Sequence, residues 1–227
     1  RMILLDLFCE HRPVWPSTEA FYGKPWVWCI IHNFGGRVGL YGGLRQVCEN
    51  LTTALESPER GKLSGIGLIM EGFGYNPIVY DYLTEMAWRT GVPEPEEWVG
   101  DFVKRRYGTR PPEAEAAWRR LVETAYTRPS YTGTIICQRP GLKRNAPSVA
   151  YDPAELNKAW GELLACRDEL GEVDTYRFDL AHLTRQVLGE LAGLLYGDVV
   201  AAYEAKDREA LTDASERFLA LIRDVDR

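Results

Sequence analysis

The chain has 227 residues, 45% of them hydrophobic, and a formal net charge of −6. That length suits one large domain or two small ones, and it buries a core without a disulfide or metal staple. The acidic balance, with no run of lysine or arginine, excludes the electrostatic footprint of a nucleic-acid binder.

The chain opens "RMILLDLF", without methionine at position 1 and directly into a strand-like run, so the expectation is that it begins inside a larger protein. Three apolar, β-prone runs occupy the first third: "MILLDLF" (2–8), "PWVWCIIHNF" (25–34) and "LSGIGLIM" (63–70). Each is followed by a Gly-rich or polar loop, and the second and third then by a helix-capable segment. Near-continuous apolar runs alternating with helices predict parallel strands covered on both faces. The spacing predicts a helix over 77–89, with Asn76 as cap, Pro77 at the first position, and Val79, Tyr82, Leu83 and Met86 on one face.

The pattern changes at about residue 91 and becomes helical. Residues 95–107 place Trp98, Val99, Phe102 and Val103 on one face, with Gly108 as the stop; residues 112–126 align Ala117, Trp118, Leu121, Val122 and Ala125. An irregular stretch rich in Pro, Gly and Arg, including Arg139 and Pro140, then runs for more than twenty residues, a length that marks a functional or disordered loop. Asp152-Pro153 opens the next helix. A long helix from about 175 carries Leu180, Leu183, Val187, Leu191 and Leu194, and an amphipathic segment at 207–224 is the last.

Three parallel strands cannot close a barrel, and an open three-stranded edge would be exposed. The predicted fold class is therefore α/β followed by all-α: residues 1–91 as the last βα units of an incomplete (β/α)8 barrel, its C-terminal portion, and residues 92–227 as part of an α-helical bundle domain.

In such barrels the loops after the strands carry the active site. The first run ends with Asp6, Glu10 and His11, the second with His32 and Asn33 after Trp28, and the third with Glu71 in "MEGFGYNP". Glu71 reads either as a catalytic carboxylate of the kind glycosidases use in pairs or as a salt-bridged acid flanking the next helix; pattern alone does not separate the two. Glu10 reads equally as a ligand contact or a surface-loop residue. His32 reads as a satisfied core histidine, Asp6 as an internal hydrogen-bond acceptor, and Asn33 as a turn former or a ligand contact. Three histidines without HExxH spacing, and five scattered cysteines (Cys9, Cys29, Cys48, Cys137, Cys166) without a CxxC pair, give no metal site and no disulfide framework. GxSxG, P-loop and GxGxxG motifs are absent, and no cofactor is expected. No stretch reads as a membrane span or signal peptide. Seven tryptophans and twelve tyrosines belong mostly to the core, although aromatic rings also stack on the CH faces of sugars.

The segments "DLFCE", "GKPWVWCIIHNFGGRVGLYG", "MEGFGYNPIVYDYLTEMAWR", "FVKRRYG" and "RFDLAHLTRQ" together resemble glycoside hydrolase family 89, the α-N-acetylglucosaminidases. The resemblance covers nearly the whole chain and is least in residues 127–150. It implies a catalytic (β/α)8 barrel followed by a helical domain, and a retaining exo-hydrolase that removes terminal α-linked N-acetylglucosamine from glycans such as heparan sulfate or mucin-type chains. The family's nucleophile carries over to Glu71. Its acid/base glutamate lies on an earlier barrel strand, upstream of the segment matching "DLFCE", so the isolated chain is expected to be inactive. By position, Trp28 and Tyr75 are expected as platforms for the sugar ring and Asn33 as a partner for a hydroxyl or the acetamido group. Glu10 and, from the long loop, Tyr151 are further candidate contacts, with domain-interface packing the alternative for Tyr151. The resemblance also implies a lysosomal setting in animals or an exported one in bacteria, and leaves oligomerisation of the full-length protein open. A non-catalytic carbohydrate-binding or scaffold protein that retains the fold is the competing expectation.

Overall fold

The computed structural model describes residues 2–33, 37–72, 74–130, 135, 138–139, 141–142 and 151–226. They fall into two compact units, residues 1–131 and 132–227.

Three parallel strands, β1 (Leu4–Asp6), β2 (Pro25–Ile30) and β3 (Lys62–Leu68), form the sheet of the first unit in the order β1-β2-β3. Asp6 pairs with Trp28, Trp28 with Ile66 and Ile30 with Leu68, with one register shift at Trp26/Val27. This register brings the C-terminal ends of all three strands to one edge of the sheet. The predicted strands and their parallel sense are thus realised, each strand shorter than its apolar run.

Parallel neighbours need a crossover. Between β2 and β3 it is α1 (Leu44–Glu56), which buries Leu44, Val47, Cys48, Leu51 and Ala54. Between β1 and β2 it is irregular: a 3-10 turn at Trp15–Thr18, then Glu19–Tyr22 with φ of 48–59°. This left-handed turn is sterically costly for side-chain-bearing residues, and packing holds it in place. Phe21 tilts against Trp26, with ring centres 5.6 Å apart, and Trp15 stacks on Trp26 at 5.7 Å.

Three further helices complete the unit: α2 (Pro77–Met86), α3 (Pro95–Tyr107) and α4 (Pro112–Glu123). Helix α3 matches its predicted bounds. Glu96 and Glu97 lie in its first turn, Lys104, Arg105 and Arg106 in its last, and Gly108 (φ 78°) closes it with an N–H to the Lys104 carbonyl. Helix α2 stops three residues short of the predicted end. Helix α4 stops at Glu123 because Thr124 leaves helical geometry (φ −122°, ψ −94°). Tyr82, Trp98, Phe102 and Trp118 form a continuous ring series with centres 4.8–5.3 Å apart. Helices α3 and α4 therefore share a core with α2, and the packed unit runs past the change of sequence pattern at residue 91.

The second unit contains α5 (Pro153–Ala165), α6 (Asp174–Glu204) and α7 (Arg208–Val225). Asp152 caps α5 through the Ala154 N–H, and Asp207 caps α7 through the N–H groups of Glu209 and Ala210. Helix α6 packs against both neighbours. Of the apolar residues predicted along it, Leu183 is buried and Leu180 and Val187 are half-buried, whereas Leu191 and Leu194 are exposed and Gly189, Ala192, Gly193 and Leu195 are buried. Small residues allow close helix approach, so in the C-terminal half of the helix leucine spacing does not mark the buried face. Among the described residues, no helix is long and apolar enough to cross a membrane.

Candidate active site

The strand ends of the first unit carry most of the sequence-predicted residues. At the end of β1, Asp6 is buried and its Oδ2 accepts from the N–H groups of Val14 and Trp15, both at 2.8 Å. It is the internal acceptor its position predicts, holding the start of the 3-10 turn.

Glu10, four residues on, is only 4% exposed. Its Oε1 accepts from two consecutive backbone groups just beyond β2, the N–H of Ile31 at 2.9 Å and that of His32 at 2.7 Å. The backbone around Glu10 is itself fixed, because Asn50 Nδ2 of α1 donates to the carbonyls of Cys9 and Glu10. Burial pushes the Glu10 carboxyl up to about 7, against the opposing effect of the two backbone donors. Glu10 is no surface-loop residue: backbone donors take its Oε1, and its Oε2 is buried with no hydrogen-bond partner among the described residues.

His32 is buried, with φ of 55°, and its carbonyl accepts from Tyr41 Oη at 2.9 Å. The ring stacks on Tyr41 with centres 4.5 Å apart and meets the edge of Tyr80 at 5.4 Å. Its Nε2 is buried with no hydrogen-bond partner among the described residues, so the expected core histidine is present but not satisfied there. Burial, reinforced by His11, lowers its pKa to about 4. His11 lies with Nε2 3.0 Å from the Pro129 carbonyl oxygen.

Asn33 is fully buried. Its side chain pairs with both backbone groups of Arg37, Oδ1 accepting at 2.9 Å and Nδ2 donating at 3.2 Å. The amide thus bonds within its own loop. Its carbonyl oxygen, in turn, accepts the N–H of Glu71 at 3.0 Å.

Trp28 lies within β2. Side chains alternate across a strand, so Trp28 shares a face of β2 with Trp26 and Ile30, and all three are wholly or almost wholly buried. No ring face is available to a ligand there. Asn76 occupies the N-cap position of α2, but its side chain makes no cap hydrogen bond. Its φ is 54° and its Nδ2 donates to the Gly39 carbonyl at 3.0 Å.

Glu71 lies three residues beyond the end of β3 with its side chain exposed, and Tyr75, in the same loop, is half-buried. The polypeptide between β3 and α2 is thus tied down at Ile69, whose N–H reaches the Ile30 carbonyl at 2.9 Å, at Glu71 and at Asn76. The result is an exposed carboxylate on an anchored backbone, beside the ends of the two preceding strands. Tyr151 belongs to the second unit, where its hydroxyl donates to Glu190 Oε1, which also accepts from Gln186 Nε2. Pro140 lies outside the described residues. Among those residues no cluster of three or more His, Cys, Asp or Glu could hold a metal ion.

Family models match along the chain, residues 1–90 to the alpha-N-acetylglucosaminidase tim-barrel domain and residues 98–227 to the alpha-N-acetylglucosaminidase C-terminal domain. The chain belongs to the alpha-N-acetylglucosaminidase family. It is 36% identical over 220 residues to human alpha-N-acetylglucosaminidase, a match covering 94% of this chain and 29% of the human protein. Its structure is similar to that of a family 89 glycoside hydrolase from Clostridium perfringens in complex with PUGNAc, with a TM-score of 0.88 and 31% identity over 97% of this chain and 26% of that one. A second complex of the bacterial enzyme, with 2-acetamido-1,2-dideoxynojirmycin, matches with a TM-score of 0.87 and 30% identity. A double Glu→Gln variant of it, in complex with its substrate GlcNAc-alpha-1,4-galactose, matches with a TM-score of 0.88. The chain therefore spans between a quarter and a third of the length of these relatives.

The clamp on Glu10, the strained His32 and the bond from Glu71 to Asn33 were not legible in the sequence. Their donors and acceptors are mostly backbone groups, which leave no residue-type signature.

Proposed function

We propose that the chain forms the last part of the catalytic barrel and the beginning of the helical domain of a retaining α-N-acetylglucosaminidase. The observation that carries this reading is the exposed Glu71 carboxylate, on an anchored loop at the C-terminal end of β3, in a chain that belongs to this family. Glu71 is the nucleophile. Its ionised carboxylate attacks the anomeric carbon of a terminal α-linked N-acetylglucosamine from the face opposite the leaving group. A partner acid about 5–5.5 Å away protonates the departing oxygen. The same partner then deprotonates the water that releases the glycosyl ester, so two inversions give retention.

Following the family pattern, that partner acid lies on an earlier barrel strand, and these 227 residues alone are inactive. Tyr75 borders the sugar site. Heparan sulfate and mucin-type glycans are the substrate classes that fit, and the setting is lysosomal or exported. The two relatives named for their glycan chemistry support the reading. One was captured with a GlcNAc-terminated disaccharide, and two glutamates had been replaced in that protein.

The test is Glu71→Gln in a protein carrying the complete barrel, assayed on an aryl α-N-acetylglucosaminide. Loss of a covalent nucleophile lowers kcat by on the order of 10⁴-fold with the fold intact. Near-normal turnover would remove Glu71 from the mechanism. Sugar binding without turnover in the unsubstituted protein would instead favour the carbohydrate-binding reading.

A further inference from the structure

We infer that Glu10 is a positioning residue for Glu71, acting through the backbone of Ile31, His32 and Asn33. The inference concerns the same site as the proposed function and uses that reading only for its catalytic consequence.

The geometry forms one unbroken series. Asn50 fixes the backbone at Cys9 and Glu10. Glu10 Oε1 gathers the N–H groups of Ile31 and His32 on a single oxygen. Two consecutive N–H groups converge on one anion only where the chain turns sharply, as in an anion-binding nest. His32 supplies that turn with its φ of 55°, and the Asn33 N–H returns to the Ile31 carbonyl at 2.6 Å, closing a γ-turn centred on His32. A γ-turn of this hand is rare and strained for a residue with a side chain. Strain of this kind persists only where surrounding contacts over-determine it, and the Glu10 carboxylate is the contact on the N–H side. The Tyr41 hydroxyl holds the His32 carbonyl on the other. The next carbonyl along, that of Asn33, receives the Glu71 N–H.

Removing the carboxylate leaves two buried N–H groups unpaired and the left-handed His32 unopposed. The peptide then relaxes, and the Asn33 carbonyl turns with it. Glu71 loses its backbone anchor although nothing within its own loop has changed. Displacement of a reacting group by about an ångström lowers turnover by about 100-fold, whereas ground-state sugar contacts made elsewhere are unaffected.

Hydrogen exchange of backbone amides in the intact chain tests the anchor directly. Glu10→Ala raises exchange at Glu71 and His32 by about tenfold or more, with Trp28 and Val103 unchanged as controls in the sheet and in α3. Glu10→Gln, which keeps a carbonyl oxygen for both N–H groups, holds the Glu71 amide within about threefold of the parent. An unchanged Glu71 amide in Glu10→Ala overturns the inference, as does equal acceleration in Glu10→Gln. Should Glu10→Ala also accelerate Trp28 and Val103, Glu10→Asp decides. Its carboxylate is one methylene too short to serve both donors, so acceleration confined to residues 31–33 and 71 supports the inference and none overturns it. In a protein carrying the complete barrel, Glu10→Ala lowers kcat with KM nearly constant, and Glu10→Gln restores it. If the exchange result holds and kcat does not move, the catalytic reading of Glu71 fails while the anchor stands.

Discussion

The backbone N–H of Glu71 is bound to the carbonyl oxygen of Asn33 at 3.0 Å, across a sequence separation of 38 residues. This bond fixes an exposed acid on one strand end from the loop of its neighbour. Neither residue uses its side chain to do so. The Asn33 amide is occupied by Arg37, and the Glu71 side chain faces outward.

Glu10 and His32 oppose each other in their effect on stability. Burial pushes Glu10 up to about 7 in the fold from its ordinary 4.5, so the folded state holds more protons and loses stability as pH rises from 4.5 to 7. His32 titrates at about 4 against 6.5, so it contributes stability above 6.5 that is lost as pH falls towards 4. Each swing is about 3 kcal/mol, and the two nearly cancel between pH 4.5 and 6.5. His11 is the titratable group acting on His32, and Glu10 in turn raises the pKa of Cys29 and Tyr80. Urea unfolding followed by tryptophan fluorescence should therefore be nearly flat in pH for the parent. It should rise with pH in Glu10→Gln and fall with pH in His32→Asn, a substitution that tolerates positive φ. Parallel curves for all three would contradict this account.

Gly67 of β3 lies against Cys29 of β2. A methyl group at Gly67 would come within 2.7 Å of Cys29 Sγ and 3.3 Å of Val27 Cγ1. Gly67→Ala is expected to cost about 1–3 kcal/mol by overpacking. The cost should shrink by about 1 kcal/mol in the Cys29→Ala background, where the sulfur is gone. Thermal melts of the four chains in this cycle measure the coupling, and simple additivity would mean that the neighbours yield freely.

Lys206 adopts φ of 57° between α6 and α7 and is exposed. Its N–H bonds the Tyr203 carbonyl and the N–H of Asp207 bonds that of Ala202, the pattern of a helix C-terminal reversal that glycine serves best. Lys206→Gly is expected to stabilise the second unit by about 1 kcal/mol. A lowered melting midpoint would show that the lysine side chain contributes more than its backbone costs.

Cys9, Cys29, Cys48 and Cys166 are buried thiols outside any disulfide. Burial raises the thiol pKa of Cys9, Cys29 and Cys48, that of Cys29 to about 11. The thiolate is the reactive form, so labelling of these three at pH 8 should be at least about 100-fold slower in the folded chain than in urea. Rapid labelling of Cys29 under native conditions would contradict the packing described at Gly67.

The strands, their parallel sense and helix α3 were legible because hydrophobic runs, Pro-first and Gly-last signals and terminal charges all agree there. In the C-terminal half of α6 leucine spacing marks the large side chains, whereas Gly189, Ala192 and Gly193 are buried there and Leu191 and Leu194 are not. The setting of Trp28 was not legible for a related reason. Being near a strand end says nothing about which face of the sheet a ring occupies until the alternation is anchored by Trp26 and Ile30. The amides of Asn33 and Asn76 look like a ligand contact and a helix cap in the sequence, yet both serve backbone groups in their surroundings. The role of Glu10 was hidden for the same reason, since its two donors lie 21 and 22 positions away and are peptide groups that any residue would provide.

The path from Asn50 through Glu10, His32 and Asn33 to Glu71 has a practical bearing on engineering. The three strand ends constitute one interchangeable part. Transplanting the Glu71 loop into another barrel would move the acid but leave behind the two neighbouring segments that set its backbone. A graft meant to preserve its placement has to carry residues 6–11, 31–41 and 69–76 together, with Asn50 as the outermost member.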